Sequence, residues 1–224
     1  MSGAEPLLRA TGISRRYRRG PETVTAFHGV DLALQPGEVV ALVGPSGSGK
    51  TTLLNVLCGW ERPDEGRVEW RGMADFTLAT LSWSEISIVP QSAGLLEDLT
   101  LIENVSLARR LGAKQHRGER AAHLGHDRHE AEEILGRLGL AHLSEHIPRA
   151  TSLGEQQRTA VARALLPRSS LVLADEPTAH QDASSTEKVL DVFCDAAASG
   201  SCCLIATHSL RAISRADRVV ALDS

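Results

Sequence analysis

An α/β fold is predicted for this chain: a parallel sheet, an antiparallel β layer and an inserted helical lobe within one domain. Three observations predict it. Apolar runs of strand length at Glu38–Val43, Ser170–Ala174 and Cys202–Ala206 each lead into polar or Gly-rich residues. That is the pattern of strands buried on both faces, with chemistry at their C-terminal ends. Shorter β-like pieces punctuated by turn residues (Pro21, Gly29, Pro36, Gly72) fill Leu7–Gly37 and Gly66–Val89 and point to the antiparallel layer. From Thr100 to Gly139 the pattern turns helical, rich in Ala, Leu, Glu and Arg, with Glu130–Leu138 amphipathic.

Composition bounds the reading. A chain of 224 residues with 42% hydrophobic side chains can bury a core, which sets disorder aside. A net charge of -4, from 24 basic and 28 acidic residues, suggests neither a nucleic-acid surface nor a polybasic membrane anchor. The longest apolar runs, Val39–Val43 and Leu171–Ala174, fall far short of the roughly 20 residues of a membrane-spanning helix. Met1–Ala10 has neither the basic start nor the apolar stretch of a secretory signal, so a soluble, cytosolic chain is expected. Cys58, Cys194, Cys202 and Cys203 show no metal-ligand spacing and read as small, mostly buried apolar residues. Neither an internal repeat nor a heptad run interrupts the chain.

The strongest motif is Gly44-Pro45-Ser46-Gly47-Ser48-Gly49-Lys50-Thr51, which fits G-x-x-x-x-G-K-[ST] at every fixed position. It follows an apolar strand and precedes a helix-like run, Thr52–Leu57. Glycines let the backbone curl so that successive N–H groups face phosphate oxygens, and the helix presents its positive end to the same anion. Lys50 would reach the β- and γ-phosphates of ATP, and Thr51 would offer a hydroxyl to Mg²⁺. A chance Gly-Ser turn is the bland alternative, and the strand-loop-helix order argues against it. A second apolar strand, Leu171–Ala174, ends in Asp175 and Glu176. Asp175 suits the magnesium shell, and Glu176 is placed to orient the attacking water. By itself such a strand end is weak evidence, since acidic residues also close strands at solvated turns.

In order and spacing, further short motifs resemble those of the ABC ATPase family across nearly the whole chain, and within it the lipoprotein-releasing and macrolide-exporter branch. The resemblance implies a P-loop NTPase core of the RecA-like type at 1–91 and 160–224, with the helical lobe and signature at 92–159. Tyr17, the only tyrosine, looks like the aromatic that stacks on adenine; the alternative is a strand residue packed on the antiparallel layer. Gln91, in Val89-Pro90-Gln91-Ser92, resembles the family's glutamine loop, which touches Mg²⁺ or the attacking water and joins core to lobe. Thr151-Ser152-Leu153-Gly154-Glu155-Gln156-Gln157-Arg158 resembles the signature usually written Leu-Ser-Gly-Gly-Gln, with Thr151 in place of leucine and Leu153 in place of the first glycine. Ser152 and Gly154 keep their places and would face the γ-phosphate on another subunit; an ordinary N-capped helix also fits these residues. Asp182 matches the dimer-facing aspartate, within the less typical Ala179-His180-Gln181. His208 resembles the switch histidine that holds the γ-phosphate, water and Glu176 in geometry.

What the resemblance implies is an ATP- and Mg²⁺-dependent ATPase that pairs with a second such subunit, as homodimer or heterodimer. A separate integral-membrane permease would be driven through the groove near Gln91 and the helical lobe, placing the chain at the cytoplasmic face of the membrane. Two rivals come from other classes. A soluble P-loop kinase would share Gly44–Thr51 and an acidic strand but lack the signature and His208 in this order. A non-transport ABC ATPase regulating a membrane or cell-wall partner would share every motif; the DNA-repair type needs long coiled-coil insertions that this chain lacks. His116, His123, His126 and His129 raise a metal site as a possibility, but the interleaved Arg117, Arg120 and Arg128 favour a solvated helix, and no metal beyond Mg²⁺ is expected.

Overall fold

A computed structural model describes residues 5–74, 76–112 and 120–222, with the backbone alone for 108, 110–112 and 120–126. Five strands build the parallel sheet: β3 (Val39–Val43), β6 (Ile86–Val89), β7 (Leu171–Asp175), β8 (Cys202–Ala206) and β9 (Arg218–Ala221), in the order β6-β7-β8-β3-β9. The three central strands are the three apolar runs of the sequence, and β7 and β8 are buried at every residue. Four strands build the antiparallel layer: β1 (Leu8–Arg19), β2 (Glu22–Leu34), β4 (Glu65–Trp70) and β5 (Met73–Ala74), ordered β2-β1-β4-β5.

Two expectations about this layer are corrected. The Leu7–Gly37 region is not a set of short pieces but two strands of 12 and 13 residues forming one long ribbon. The Gly66–Val89 region does not all join the antiparallel layer: its last strand, β6, runs parallel to β7 at the edge of the central sheet. Four residues of Ile-Ser-Ile-Val carry no signal for which sheet they will join. That choice is made by Ile86 and Ile88 packing toward one face while Val89 packs toward the other.

Alternation along the central strands explains the layering. Val40, Leu42, Leu171, Leu173, Cys202 and Leu204 turn to one side, where they meet α1 (Lys50–Leu57) and the antiparallel layer. Val39, Val172, Ala174, Cys203 and Ile205 turn to the other, against α2 (Leu101–Gly112), α3 (Arg120–Arg137), α4 (Leu153–Leu165) and α5 (Ala183–Ala198). Successive strand residues point to opposite faces, so the adjacent Cys202 and Cys203 serve different cores. All four cysteines are free thiols; burial pushes Cys203 up to about 12 and Cys202 higher, and only Cys194 is half-buried. The helical stretch predicted at Thr100–Gly139 is α2 and α3. The boundary drawn between 159 and 160 falls inside α4, one unbroken helix. Strand β9, α5 and the short α6 (Leu210–Ser214) complete the described chain.

Candidate functional site

Parallel strands deliver their C-terminal ends to one edge of the sheet, and the candidate residues collect there. The loop Gly44–Gly49 leaves β3 and enters α1 at Lys50. Two of its glycines are required by contact. A side chain on Gly49, whose φ is 86°, would lie 2.3 Å from the Ala26 carbonyl, and one on Gly44 would lie 2.6 Å from the Leu222 carbonyl and from Ser48 Oγ. The loop is thus threaded between β2 and the chain after β9, with backbone in close approach on both sides. Ser48 is buried, and among the described residues its hydroxyl has no hydrogen-bond partner. Lys50 Nζ donates to the carbonyls of Gly44 and Pro45 at 2.8 and 2.9 Å, which lays the ammonium across the mouth of the loop. Thr52, half-buried, follows on the first turn of α1.

One hydrogen bond ties this segment to the end of β7, and a second joins the end of β7 to the loop after β8. Thr51 Oγ1 donates to Asp175 Oδ2 at 2.6 Å, across 124 residues of sequence. Glu176 Oε1 and His208 Nδ1 lie 2.8 Å apart. Asp175 is only 5% exposed, and burial pushes its carboxyl above the usual aspartate range; the adjacent Glu176 charge adds to this, while Thr51 and Lys50 oppose it. Glu176 takes a left-handed backbone, φ 48°, costly for a residue with a β-carbon. Its N–H is fixed by the Ala206 carbonyl at 2.9 Å. The turn swings Glu176 away from the strand line and toward His208, which follows β8 by two residues.

Ser152, Gly154 and Asp182 form a second group. Ser152 caps α4: its hydroxyl accepts from Glu155 N–H, and Glu155 Oε2 accepts from Ser152 N–H at 2.8 Å, a reciprocal capping box. The Glu155 carboxyl is held below the usual range by those bonds, the backbone N–H of Ser152 foremost. Gly154 has a packing reason to be glycine, since a β-carbon there would sit 2.8 Å from the His180 carbonyl. Leu153, the departure from the signature pattern, is 65% exposed. Asp182 caps α5, its Oδ1 accepting from Ser185 N–H at 2.7 Å, a local role beyond the one the motif suggested. Among the described residues no hydrogen bond joins this group to the loop Gly44–Thr51.

Gln91 is exposed just past β6. Its loop hangs from α4: Gln157 Nε2 donates to the Pro90 carbonyl, and Arg163 donates to the carbonyls of Ala93 and Gly94. These two anchors went unnoticed in the sequence, although a glutamine and an arginine on the inner side of an Ala-rich helix were a signal. Tyr17 stands on the exposed part of the β1–β2 ribbon, its hydroxyl donating to Glu61 at 2.6 Å with Arg15 4.9 Å over its ring. Of the histidine-rich stretch, His116 and the side chains of His123 and His126 lie outside the described residues. His129 sits 3.4 Å from Glu133 one turn along α3.

With this geometry in place, the comparisons with known proteins are specific. Residues 27–179, more than half of the chain, match the family model described as ABC transporter. A lipoprotein-releasing system ATP-binding protein, LolD, of Cereibacter sphaeroides is 40% identical over 95% of this chain and 95% of its own length. A macrolide export ATP-binding/permease protein, MacB 2, of Aeromonas hydrophila is 37% identical over 98% of this chain, which spans only 33% of that longer protein. The ATP-binding cassette MJ0796, solved as a dimer in a post-hydrolysis state bound to ADP and Pi, superposes with a TM-score of 0.87 at 30% identity, covering 96% of this chain and 94% of that one. The chain therefore belongs to the ABC transporter family and is an ATP-binding, ABC-type ATPase subunit.

Proposed function

We propose that this chain hydrolyses ATP at a site shared with a second ATPase subunit, and that closing and opening of the pair drives a separate integral-membrane permease. The observation that carries the reading is the pairing of Thr51 with Asp175 beside that of Glu176 with His208, at the ends of three adjacent strands. Lys50 exchanges the carbonyls of Gly44 and Pro45 for β- and γ-phosphate oxygens, and the backbone N–H groups of Gly44–Gly49 and the first turn of α1 cradle the rest. Ser48, buried and without a hydrogen-bond partner among the described residues, has a hydroxyl to offer the same anion. Thr51 and Asp175, with oxygens 2.6 Å apart, are hard donors that fit Mg²⁺, and Asp175, whose charge burial disfavours, has the most to gain from a cation. When bound, Mg²⁺ neutralises charge on the β- and γ-phosphates. Gln91 extends toward the same ion or the attacking water. Glu176 orients that water, and His208 holds Glu176 in place and donates to the γ-phosphate.

Each ATP lies between Gly44–Thr51 of one subunit and Ser152 with Gly154 of the other, Asp182 facing the partner; that MJ0796 was solved as a dimer bound to ADP and Pi supports the pairing of two subunits. The partner is a second copy or a related subunit. The permease docks in an apolar groove of about 560 Å³ between core and helical lobe, where Trp60, Leu78, Leu81, Trp83, Ile88 and Leu107 lead to Pro90, one residue before Gln91. Trp60 and Trp83 are 69% and 50% exposed there, large apolar surface of the kind that marks an interaction site. This docking places the chain at the cytoplasmic face of the membrane. That the Aeromonas relative is named as an ATP-binding/permease protein supports the pairing.

Glu176→Gln removes the carboxylate that orients water while keeping its shape. It should form a stable dimer in ATP and Mg²⁺, seen by light scattering on a sizing column, with turnover reduced at least a hundredfold. An ATP-loaded variant that stays monomeric, or turns over at the parent rate, overturns the assignment. Lys50→Ala should abolish turnover, and full ATPase activity would sink the phosphate-loop assignment.

A further inference from the structure

The ribbon that carries Tyr17 is poorly supported by its own backbone. Strand β1 pairs with β4 only as far as Ser14 opposite Glu65; beyond it, β1 and β2 continue as a two-stranded arm in which residues 16–25 are all exposed. An isolated hairpin of this kind is marginal in water; its register is unbroken from Arg16 to Arg19, and the register shifts at Ala10/Ile13, Ile13/Arg15 and Arg15/Arg16 lie at its base. Its position is set instead by side chains from the connection between α1 and β4. Asp64 accepts from Arg16 N–H at 2.6 Å and from Arg15 at 3.0 Å. Glu61 accepts from Tyr17 Oη at 2.6 Å, from Arg15 Nε at 3.2 Å and, through its other oxygen, from Asn55 Nδ2 at 3.1 Å. Asn55 belongs to α1, and its carbonyl also receives the N–H groups of Trp60 and Glu61.

We propose that Glu61 is a positioning residue for nucleotide binding: it locks the Tyr17 ring to helix α1, and so sets the place of the base platform relative to the phosphate cradle. Three features converge on it. Helix α1 opens with Lys50 and Thr51, so a rigid body runs from the phosphate-facing end of the helix, through Asn55, to Glu61 and the Tyr17 hydroxyl. The arm passes close by the cradle, since the Ala26 carbonyl fills the space that a side chain on Gly49 would take. Arg15, held by the same carboxylate, covers one face of the Tyr17 ring while the ring remains 36% exposed. A purine can then stack on the open face, against a ring whose tilt is fixed at the hydroxyl and whose back is covered by a guanidinium. Burial pushes the Glu61 carboxyl up, but the bonds from Tyr17 and Asn55 and the charge of Arg15 outweigh it and hold the group below the usual glutamate range. The carboxylate is therefore ionised at neutral pH.

This inference rests on the reading of Tyr17 as the adenine platform, and the test separates the two. The full chain and its variants are titrated with ATP, and in parallel with inorganic triphosphate, which has no base. Tyr17→Ala should weaken ATP about tenfold or more, the worth of one stacked base, and leave triphosphate unchanged. Glu61→Ala should weaken ATP about fivefold, as for one lost hydrogen bond, again with triphosphate unchanged. Tyr17→Phe, which removes the same bond from its other end, should match it, and the double variant should be no weaker than either alone. Glu61→Gln keeps the acceptor and should stay within about twofold of the parent. If Tyr17→Ala leaves ATP affinity intact, the platform reading fails and the proposal with it. If Tyr17→Ala weakens ATP while Glu61→Ala and Tyr17→Phe do not, the platform stands and Glu61 has no part in it. Equal loss of ATP and triphosphate in Glu61→Ala would mean that Glu61 acts on the phosphate loop or the fold, which also overturns the proposal. Should Glu61→Ala fail to fold, Tyr17→Phe decides the matter alone.

Discussion

The same substitution at two glycines should have opposite signs. Gly154 and Gly136 both lie within helices, α4 and α3, so propensity alone favours alanine at each by up to about 1 kcal/mol. At Gly136 an added β-carbon meets nothing within 4 Å among the described residues, and the residue is exposed. Gly136→Ala should therefore stabilise by about 0.5–1 kcal/mol, partly by restricting the unfolded chain. At Gly154 the added methyl would sit 2.8 Å from the His180 carbonyl, where 3.4 Å or more is ordinary contact. Neither side yields easily. One wall is the start of a helix locked by the Ser152–Glu155 capping box, and the other is a turn in which His180 holds φ 60° two residues before the Asp182 cap of α5. Overpacking of this kind costs about 1–3 kcal/mol, which exceeds the propensity gain in the first turn of a helix. A domain of this size shifts by about 2–4 °C per kcal/mol. Gly154→Ala should therefore lower the apparent Tm by about 2–8 °C, and Gly136→Ala should raise it by about 1–4 °C, in calorimetry at one scan rate. A Gly154→Ala protein as stable as its parent would refute the reasoning, because it would show that the signature helix and the His180 turn are not in rigid contact.

Asp175 gives a pH-dependent result. Its folded-state pKa is raised, chiefly by burial, so its ionised form costs stability above that pKa and the cost vanishes below the unfolded value. Without nucleotide, Asp175→Asn should be more stable than the parent at neutral pH, with the advantage shrinking as pH falls into the ordinary aspartate range, while ATP turnover is lost; thermal scans from neutral to acid pH would expose a wrong sign. Leu153 is 65% exposed, so Leu153→Gly should cost less than about 1.5 kcal/mol of stability and leave hydrolysis equal or faster. A large loss of turnover, measured by phosphate release, would mean that this leucine is built into the closed dimer.

The parts of the site that could be read from sequence are those whose chemistry is local. Gly44–Thr51 is contiguous, and its strand, loop and helix follow one another, so spacing carries the geometry. Asp175 and Glu176 were readable because a buried strand announces itself by composition and its end is where a ligand must come, whereas His208 was readable only from its place among the family's motifs. Asp182 was read for what it faces and not for what it caps, since its hydrogen bond to Ser185 N–H looks the same in sequence as any Asp before a helix. The partners of Glu61, Asn55, Gln157 and Arg163 were not legible, for a different reason. Each acts on a residue brought near by folding, such as Tyr17, 44 residues from Glu61, or Pro90, 67 residues from Gln157.

From the order of residues alone came the α/β class, the phosphate loop and the acidic strand end; the reading of this chain as one half of a two-subunit site came from its resemblance to the ABC ATPase family. The first three follow from short-range chemistry: apolar runs must be buried, and a curled Gly-rich backbone must present its N–H groups to an anion. Which sheet the Ile86–Val89 strand joins, why Gly154 must be glycine and how Glu61 tethers the arm bearing Tyr17 were decided only in three dimensions. Those outcomes depend on which surfaces meet across long stretches of chain, within tolerances of a few tenths of an ångström, and no local pattern encodes them.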